Sequence, residues 1–203
     1  MSDYAPKGFS MLPVVVKNLI IINVIVFLAT MVLERAGFYN ITSMLALNSA
    51  ASGRFRLWQL ATYMFMHGGF SHLFFNMFAL WMFGYVLENY WGSRRFLFYY
   101  LICGIGAAIC NILIPGWDLT VGASGAVYGV LLAFGMMFPE ERIYLYFLMP
   151  IKAKWFVIGY AALELFQGVC GSSDGIAHFA HLGGMLFGLL LILYWRKHPF
   201  SKF

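Results

Sequence analysis

Six runs of about twenty mostly apolar residues divide this chain, at about 14–33, 70–89, 95–114, 122–138, 150–170 and 177–195. A helix rises about 1.5 Å per residue, so roughly 20 apolar residues suffice to cross a hydrocarbon core of about 30 Å. The pattern therefore predicts an all-α membrane protein with six transmembrane helices. Polar residues collect at the joints. Asn89 to Arg95, with Gly92, reads as a tight turn, and Pro115-Gly116-Trp117-Asp118 as another. Pro139-Glu140-Glu141-Arg142 stops the fourth run, as proline stops a helix. Gly171-Ser172-Ser173-Asp174-Gly175 has the turn chemistry of a loop. The longest joint, about 34–69, carries Trp58, Tyr63, Phe65 and several methionines with few charges. It is expected to lie at the membrane interface, where amphipathic aromatic residues are favoured. No internal repeat or linker interrupts the pattern, so residues 1–203 read as one membrane domain.

Composition agrees: 62% of the 203 residues are hydrophobic and 10% are charged, against about 25% charged in a soluble domain. No stretch is left over for a separate soluble domain. The first run lacks a small-residue cleavage site and carries Lys17, Asn18 and Asn23, so it reads as a retained span. A net charge of +5 would point to nucleic acid in a soluble protein; here its distribution points to orientation instead. With both termini cytoplasmic, Lys7, Lys17, Arg94, Arg95, Arg142, Lys152, Lys154, Arg196, Lys197 and Lys202 lie inside, and only Arg35, Arg54 and Arg56 lie outside. The positive-inside rule selects that orientation. It fits a bacterial cytoplasmic (inner) membrane, with the lipid bilayer and not nucleic acid as the partner of the basic residues. Cys103, Cys110 and Cys170 fall inside predicted spans and read as small apolar packers.

Polar side chains inside such runs are costly and invite a functional reading. Runs two, four and six all descend from the same surface, and His72, Ser124 and His181 each lie within about four residues of their starts. Counting the rise alone puts all three within about 10 Å of that surface. On a helix His181 shares a face with Ala177, Gly184 and Gly188, Ser124 with Tyr128, and Gly125 with Gly129. Small residues let membrane helices approach closely, so runs four and six are equipped to touch and to bring Ser124 within hydrogen-bonding reach of His181. A serine beside a histidine is an activated nucleophile. His72 and Asn76, one turn apart, can aim two donors at a developing oxyanion.

Each piece alone has an ordinary explanation. Gly122-Ala123-Ser124-Gly125 could be a packing seam, and His67 and His178 read as structural, His67 pinning the loop and His178 bonding near the water boundary. Glu164, inside the fifth run, is the least explained residue, either protonated or paired with a polar neighbour. Together the pieces require three coincidences of depth and face, and the catalytic reading is preferred.

Four motifs carry a resemblance. They are His67-(x)4-His72-(x)3-Asn76, Gly84-(x)3-Glu88-(x)3-Gly92, Gly122-Ala123-Ser124-Gly125 with Tyr128, and Ala177-(x)2-Ala180-His181-(x)-Gly183-Gly184. In these the chain resembles the rhomboid family of intramembrane serine proteases, over roughly residues 14–196. The resemblance implies a compact six-helix bundle with an outward-facing, water-filled active-site cavity. It implies a Ser124–His181 dyad with no third carboxylate and no metal or cofactor, Tyr128 packed on the histidine, and an oxyanion hole from His72, Asn76 and the Ser124 backbone N–H. Phe75 is similar to residues lining the route from the bilayer, with spans two and five parting for the substrate. The implied partners are single-pass transmembrane proteins. Where the family often has Trp-Arg in its outer loop, this chain has Trp58-Gln59.

Two other functions compete. A catalytically dead relative that binds membrane proteins would need Ser124 or His181 lost, and both are present. A small transporter or metal-handling channel could use His67, His72, His178 and His181, but these histidines lack any partnering carboxylate or thiolate on the same side, and no repeat of two halves is visible.

Overall fold

Each of the six apolar runs folds as a helix. The structure, a computed structural model, describes residues 10–113, 119–145, 149–170 and 177–198. The turn expected at 115–118, the loop at 171–175, and Lys7 and Lys202 lie outside the described residues. The helices of the runs are α1 (Val14–Arg35), α4 (Phe70–Trp91), α5 (Ser93–Leu113), α6 (Ser124–Met137), α7 (Ala153–Cys170) and α8 (His178–Lys197). Among the described residues, α1, α4, α5 and α8 are long and apolar enough to cross a membrane.

α6 is different. Its 14 residues give about 21 Å, well short of a hydrocarbon core. It is instead the innermost helix, packed against α4, α5 and α8, with Ala126, Val130 and Ala133 fully buried. A buried short helix needs no lipid match, and its first residue is Ser124.

The fifth run is shorter than the pattern suggests. Residues Met149–Lys152 form a strand, β4, which pairs antiparallel with β3 (Arg142–Leu145), and the helix begins only at Ala153. Pro150 accounts for the difference, because proline disfavours helical backbone in the residue before it and lacks a donor of its own. Beside the hairpin, Glu140 bridges Lys152 at 2.6 Å and also Lys154. These two lysines hold its carboxyl down at about 2.

The long joint between α1 and α4 is ordered. It holds the short helices α2 (Ile41–Leu45) and α3 (Gln59–Thr62), single 3-10 turns at Ala50–Ser52 and Tyr63–Phe65, and β1 (Leu47–Asn48). β1 pairs with β2 (Leu119–Thr120), tying the joint to the segment that leads into α6. Gln59, the departure from the family's Trp-Arg, is buried at its centre. Its Oε1 accepts from the Asn48 and Arg56 amides at 3.3 and 3.1 Å, and its Nε2 donates to the Met44 carbonyl at 3.1 Å. Trp58 Nε1 donates to that same carbonyl at 3.1 Å. A neutral amide thus satisfies a buried loop backbone that would otherwise be orphaned.

Glu88 performs the matching service for α1. The helix has no side-chain cap of its own at Pro13, and the Glu88 carboxylate accepts from the Val15 and Val16 amides at 2.9 and 2.8 Å and from Ser93 Oγ at 2.6 Å. A carboxylate at a helix N-terminus satisfies free amides and complements the dipole. Gly92, at φ +84°, makes the abrupt turn from α4 into α5 that a side chain would resist.

Candidate active site

The seam between α6 and α8 is built from residues without side chains. A Cβ placed on Gly184 would stand 1.8 Å from the Gly125 carbonyl oxygen, so the two backbones are in direct contact. α5 closes the same seam from behind, where Cys103 packs on Gly129 and Cys110 on Gly183. One turn before Gly184 on α8 lies His181, and one residue before Gly125 lies Ser124. The backbone contact therefore brings the two candidate side chains together: His181 Nε2 is 2.8 Å from Ser124 Oγ.

Tyr128, one turn along α6, stacks on the imidazole with centroids 4.2 Å apart and planes 6° from parallel. Stacking fixes the ring plane, and the hydrogen bonds at its edges fix its rotation. His181 is held in both senses.

A cavity of about 710 Å³ opens at this pair. Its walls include His72, Phe75, Asn76, Ser124, Tyr128 and His181, which are all the site residues expected from the sequence. Gly122, at φ +128°, lies two residues before Ser124, and a Cβ there would lie 2.7 Å from His72 Nε2 and 3.5 Å from Ser124 Oγ. Only glycine lets the His72 ring come so near the serine. The Gly122 amide donates to the Tyr63 carbonyl at 2.9 Å, which pins this turn to the long joint. Asn76 Nδ2 donates to the His72 carbonyl at 2.9 Å, which fixes the orientation of its amide. Ser124 opens α6, so its backbone N–H belongs to the first turn, whose donors have no partner within the helix.

Phe75 is 67% exposed and also lines the cavity. The cavity runs between α4 and α7: Ala79 and Met82 line one side, Phe156 and Tyr160 the other. These helices also meet through Phe83 and Phe156, which line the cavity with ring centroids 6.5 Å apart. Next to the site, His67 is buried and meets His72 edge-on with centroids 5.1 Å apart. Burial first, and then the neighbouring His72, lower its affinity for a proton to about 4.

The sequence reading missed one partner. Glu164, on α7, is buried beside His181. Its Oε2 lies 3.0 Å from His181 Nδ1 and 2.6 Å from His178 Nδ1, and its Oε1 accepts from the Tyr128 hydroxyl. Of the two alternatives left open for it, pairing is what the fold provides. One expectation is corrected: the histidine does have a carboxylate behind it. His178 bonds the same buried carboxylate. The signal was in the sequence, since a carboxylate inside an apolar run demands a partner, but the identity of that partner was not.

The objection that these histidines lack a carboxylate on their side also falls. The ligand atoms of Glu164, His178 and His181 all lie within 4.8 Å of one another, a grouping able to hold a metal ion. Both imidazoles, however, converge on a single carboxylate oxygen at hydrogen-bonding distance, so the cluster is closed by its own hydrogen bonds.

Comparison with known proteins agrees with the motifs. The family model described as Rhomboid domain matches residues 54–198. Rhomboid-like protease 3 of Toxoplasma gondii is 27% identical over 86% of this chain and 66% of its own length. RHOMBOID-like protein 6, mitochondrial, of Arabidopsis thaliana is 36% identical over 66% of this chain and 42% of its own. Rhomboid protease GluP of Bacillus subtilis is 35% identical over 64% of this chain and 24% of its own. The chain thus spans between about a quarter and two thirds of these relatives. With the Rhomboid domain matched from the long joint to the end of α8, the chain belongs to the Rhomboid family.

Proposed function

We propose that the chain is an intramembrane serine endopeptidase that cuts single-span membrane proteins within or beside their transmembrane helix. The observation that carries the reading is the 2.8 Å approach of His181 Nε2 to Ser124 Oγ at the wall of a cavity. In this reading α1, α4, α5, α6, α7 and α8 are six spans with both termini cytoplasmic. The cavity faces outward and holds the water that hydrolysis consumes, since non-helical, polar surface at membrane depth is tolerated only around such a cavity. The basic residues in the first turn of α5, in the hairpin and first turn of α7 and at the end of α8 support that orientation. A bacterial cytoplasmic membrane is the proposed location.

Ser124 Oγ attacks the scissile carbonyl while His181 Nε2 takes its proton. The developing oxyanion is received by His72, Asn76 and the Ser124 amide. His181 then returns the proton to the leaving amine. Water attacks the acyl-enzyme, His181 takes its proton, and Ser124 is restored. The gap between α4 and α7, with Phe75 at its edge, is the proposed route for the substrate helix.

A peptide bond in an intact helix is shielded, and opening it in hydrocarbon costs several kcal/mol per bared polar group. The preferred substrate therefore carries Gly, Pro or other weak helix formers in its outer half. A small residue is expected before the scissile bond, because the Ser–His pair sits between closely packed helices.

The test uses the protein in liposomes with a single-span substrate and, in parallel, a serine-directed fluorophosphonate. The reading predicts labelling at Ser124 and cleavage near the outer boundary, slowed when the substrate's Gly and Pro residues become Leu. Efficient cutting of a uniform poly-Leu span, or cutting mapped to the cytoplasmic half, would sink it. The grouping of Glu164 with His178 and His181 makes a metal-handling reading specific enough to test alongside. Activity that survives EDTA supports the Ser–His reading, whereas loss restored by zinc favours the metal.

A further inference from the structure

We propose that Glu164 is a positioning residue for the catalytic base, so that the site works as a Ser124–His181–Glu164 relay and not as a two-residue pair; the inference rests on the protease reading above. The His181 ring is bonded at both edges, to Ser124 Oγ at 2.8 Å through Nε2 and to Glu164 Oε2 at 3.0 Å through Nδ1. A carboxylate only accepts, so the Nδ1 facing it carries the hydrogen and Nε2 is left with its lone pair towards the serine. That is the one neutral tautomer in which His181 can take the Ser124 proton. When it does, Oγ bonds to the carbonyl carbon and the ring becomes an imidazolium beside a carboxylate. When Nε2 passes the proton to the leaving amine, the C–N bond breaks and the ring is neutral again. Glu164 takes no proton at any step; it orients the ring and balances its transient charge.

The carboxylate is itself held. The Tyr128 hydroxyl bonds Oε1, and the same tyrosine stacks on His181 at 4.2 Å. One phenol thus fixes the ring and the acceptor relative to each other. His178 Nδ1 donates to Oε2 at 2.6 Å from the turn of α8 that precedes His181. Three donors on one buried carboxylate exceed what tying α7 to its neighbours requires. The flanking positions on α7 are ordinary apolar surface, with Leu163, Leu165 and Phe166 exposed. A leucine at 164 would pack there without the cost of burying a charge. The carboxylate is explained by the imidazole that it faces.

The experiment compares the full-length wild type, Ser124→Ala, Glu164→Gln and Glu164→Asp in bilayers. It reads kcat, KM, fluorophosphonate labelling and the ¹⁵N spectrum of the histidine rings. The expected result is a fall in kcat of about 10²- to 10⁴-fold for Glu164→Gln, as loss of the correct tautomer produces in Ser–His–Asp enzymes. KM should move less than about threefold, labelling should slow with kcat, and Glu164→Asp should recover at least tenfold over Gln. His181 should carry its hydrogen on Nδ1 in the wild type and lose that preference in Glu164→Gln. A role confined to tethering α7 would instead raise KM and lower heat stability equally in both variants, with the tautomer unchanged, and that result would overturn the proposal. So would wild-type kcat in Glu164→Gln. If Glu164→Gln does not fold, the wild-type spectrum decides: a His181 hydrogen on Nε2 overturns the relay. Cleavage by the wild type that is lost in Ser124→Ala keeps the protease reading standing whatever the Glu164 variants do. A wild type that neither cleaves nor labels removes that reading and the relay with it.

Discussion

Gly184 on α8 faces the Gly125 carbonyl of α6 so closely that a single added methyl would stand 1.8 Å from the oxygen. The obstacle is backbone, which cannot rotate away as a side chain can. Gly184→Ala therefore has to push α8 from α6, and the 2.8 Å contact between His181 and Ser124 lies one turn from the point of pressure. Overpacking of this kind costs about 1–3 kcal/mol. We expect a melting temperature lower by several degrees and activity reduced more than tenfold, read by thermal unfolding in detergent and by substrate cleavage. Unchanged activity with unchanged stability would mean that the helices do not meet as described.

Ser124→Ala and His181→Ala should each abolish proteolysis and leave a folded protein. A nucleophile and its base act as one unit, so the double variant should be scarcely worse than either single one. Turnover measured on all three decides the matter: partial losses that multiply in the double variant would argue against the pair.

His72→Ala and Asn76→Ala should slow cleavage without stopping it. Losing one oxyanion donor typically costs about 10²–10³ in kcat, and the amide of Ser124 remains in either variant. Full turnover in both would place the oxyanion elsewhere.

His67 should make the fold sensitive to mild acid. Its ring titrates near 6.5 in an unfolded chain but at about 4 in the fold, because it is buried and lies beside His72. Between those values the unfolded chain holds the extra proton, so stability rises with pH across the window. It is fully present above about pH 6.5 and drains away as the pH falls towards 4, by up to about 3 kcal/mol at 1.36 kcal/mol per unit. Glu140, held near 2, starts from 4.5 and perturbs only the acid end of the window. His67→Phe should flatten the melting temperature between pH 6.5 and 4.5. An equal slope in wild type and variant would assign the acid sensitivity to other groups.

Much of this arrangement is legible in one dimension because a bilayer simplifies the problem. Apolar runs must be helices, their rise converts residue number into depth, and the basic residues suggest an orientation. Those rules alone put His72, Ser124 and His181 at one level, and the glycines of the α6–α8 seam pointed to the helices that touch. Local structure escaped where a short-range conflict was overlooked: Pro150 turns the start of the fifth run into a strand paired with Arg142–Leu145. The ordered joint escaped for another reason, since Gln59 bonds residues as distant as Met44 and no periodicity encodes such contacts.

Glu164 marks the limit. Its sequence announces a polar residue in an apolar run, and therefore a need for a partner. The partners lie on two other helices, Tyr128 on α6, and His178 and His181 on α8. Which face of α7 turns inward depends on how the helix is rotated about its own axis. In a run apolar on nearly every side, no amphipathic stripe records that rotation. Packing decided it. The sequence determined the parts, their depth and the seam that joins Ser124 to His181, whereas only the assembled helices decided that a carboxylate stands behind the histidine.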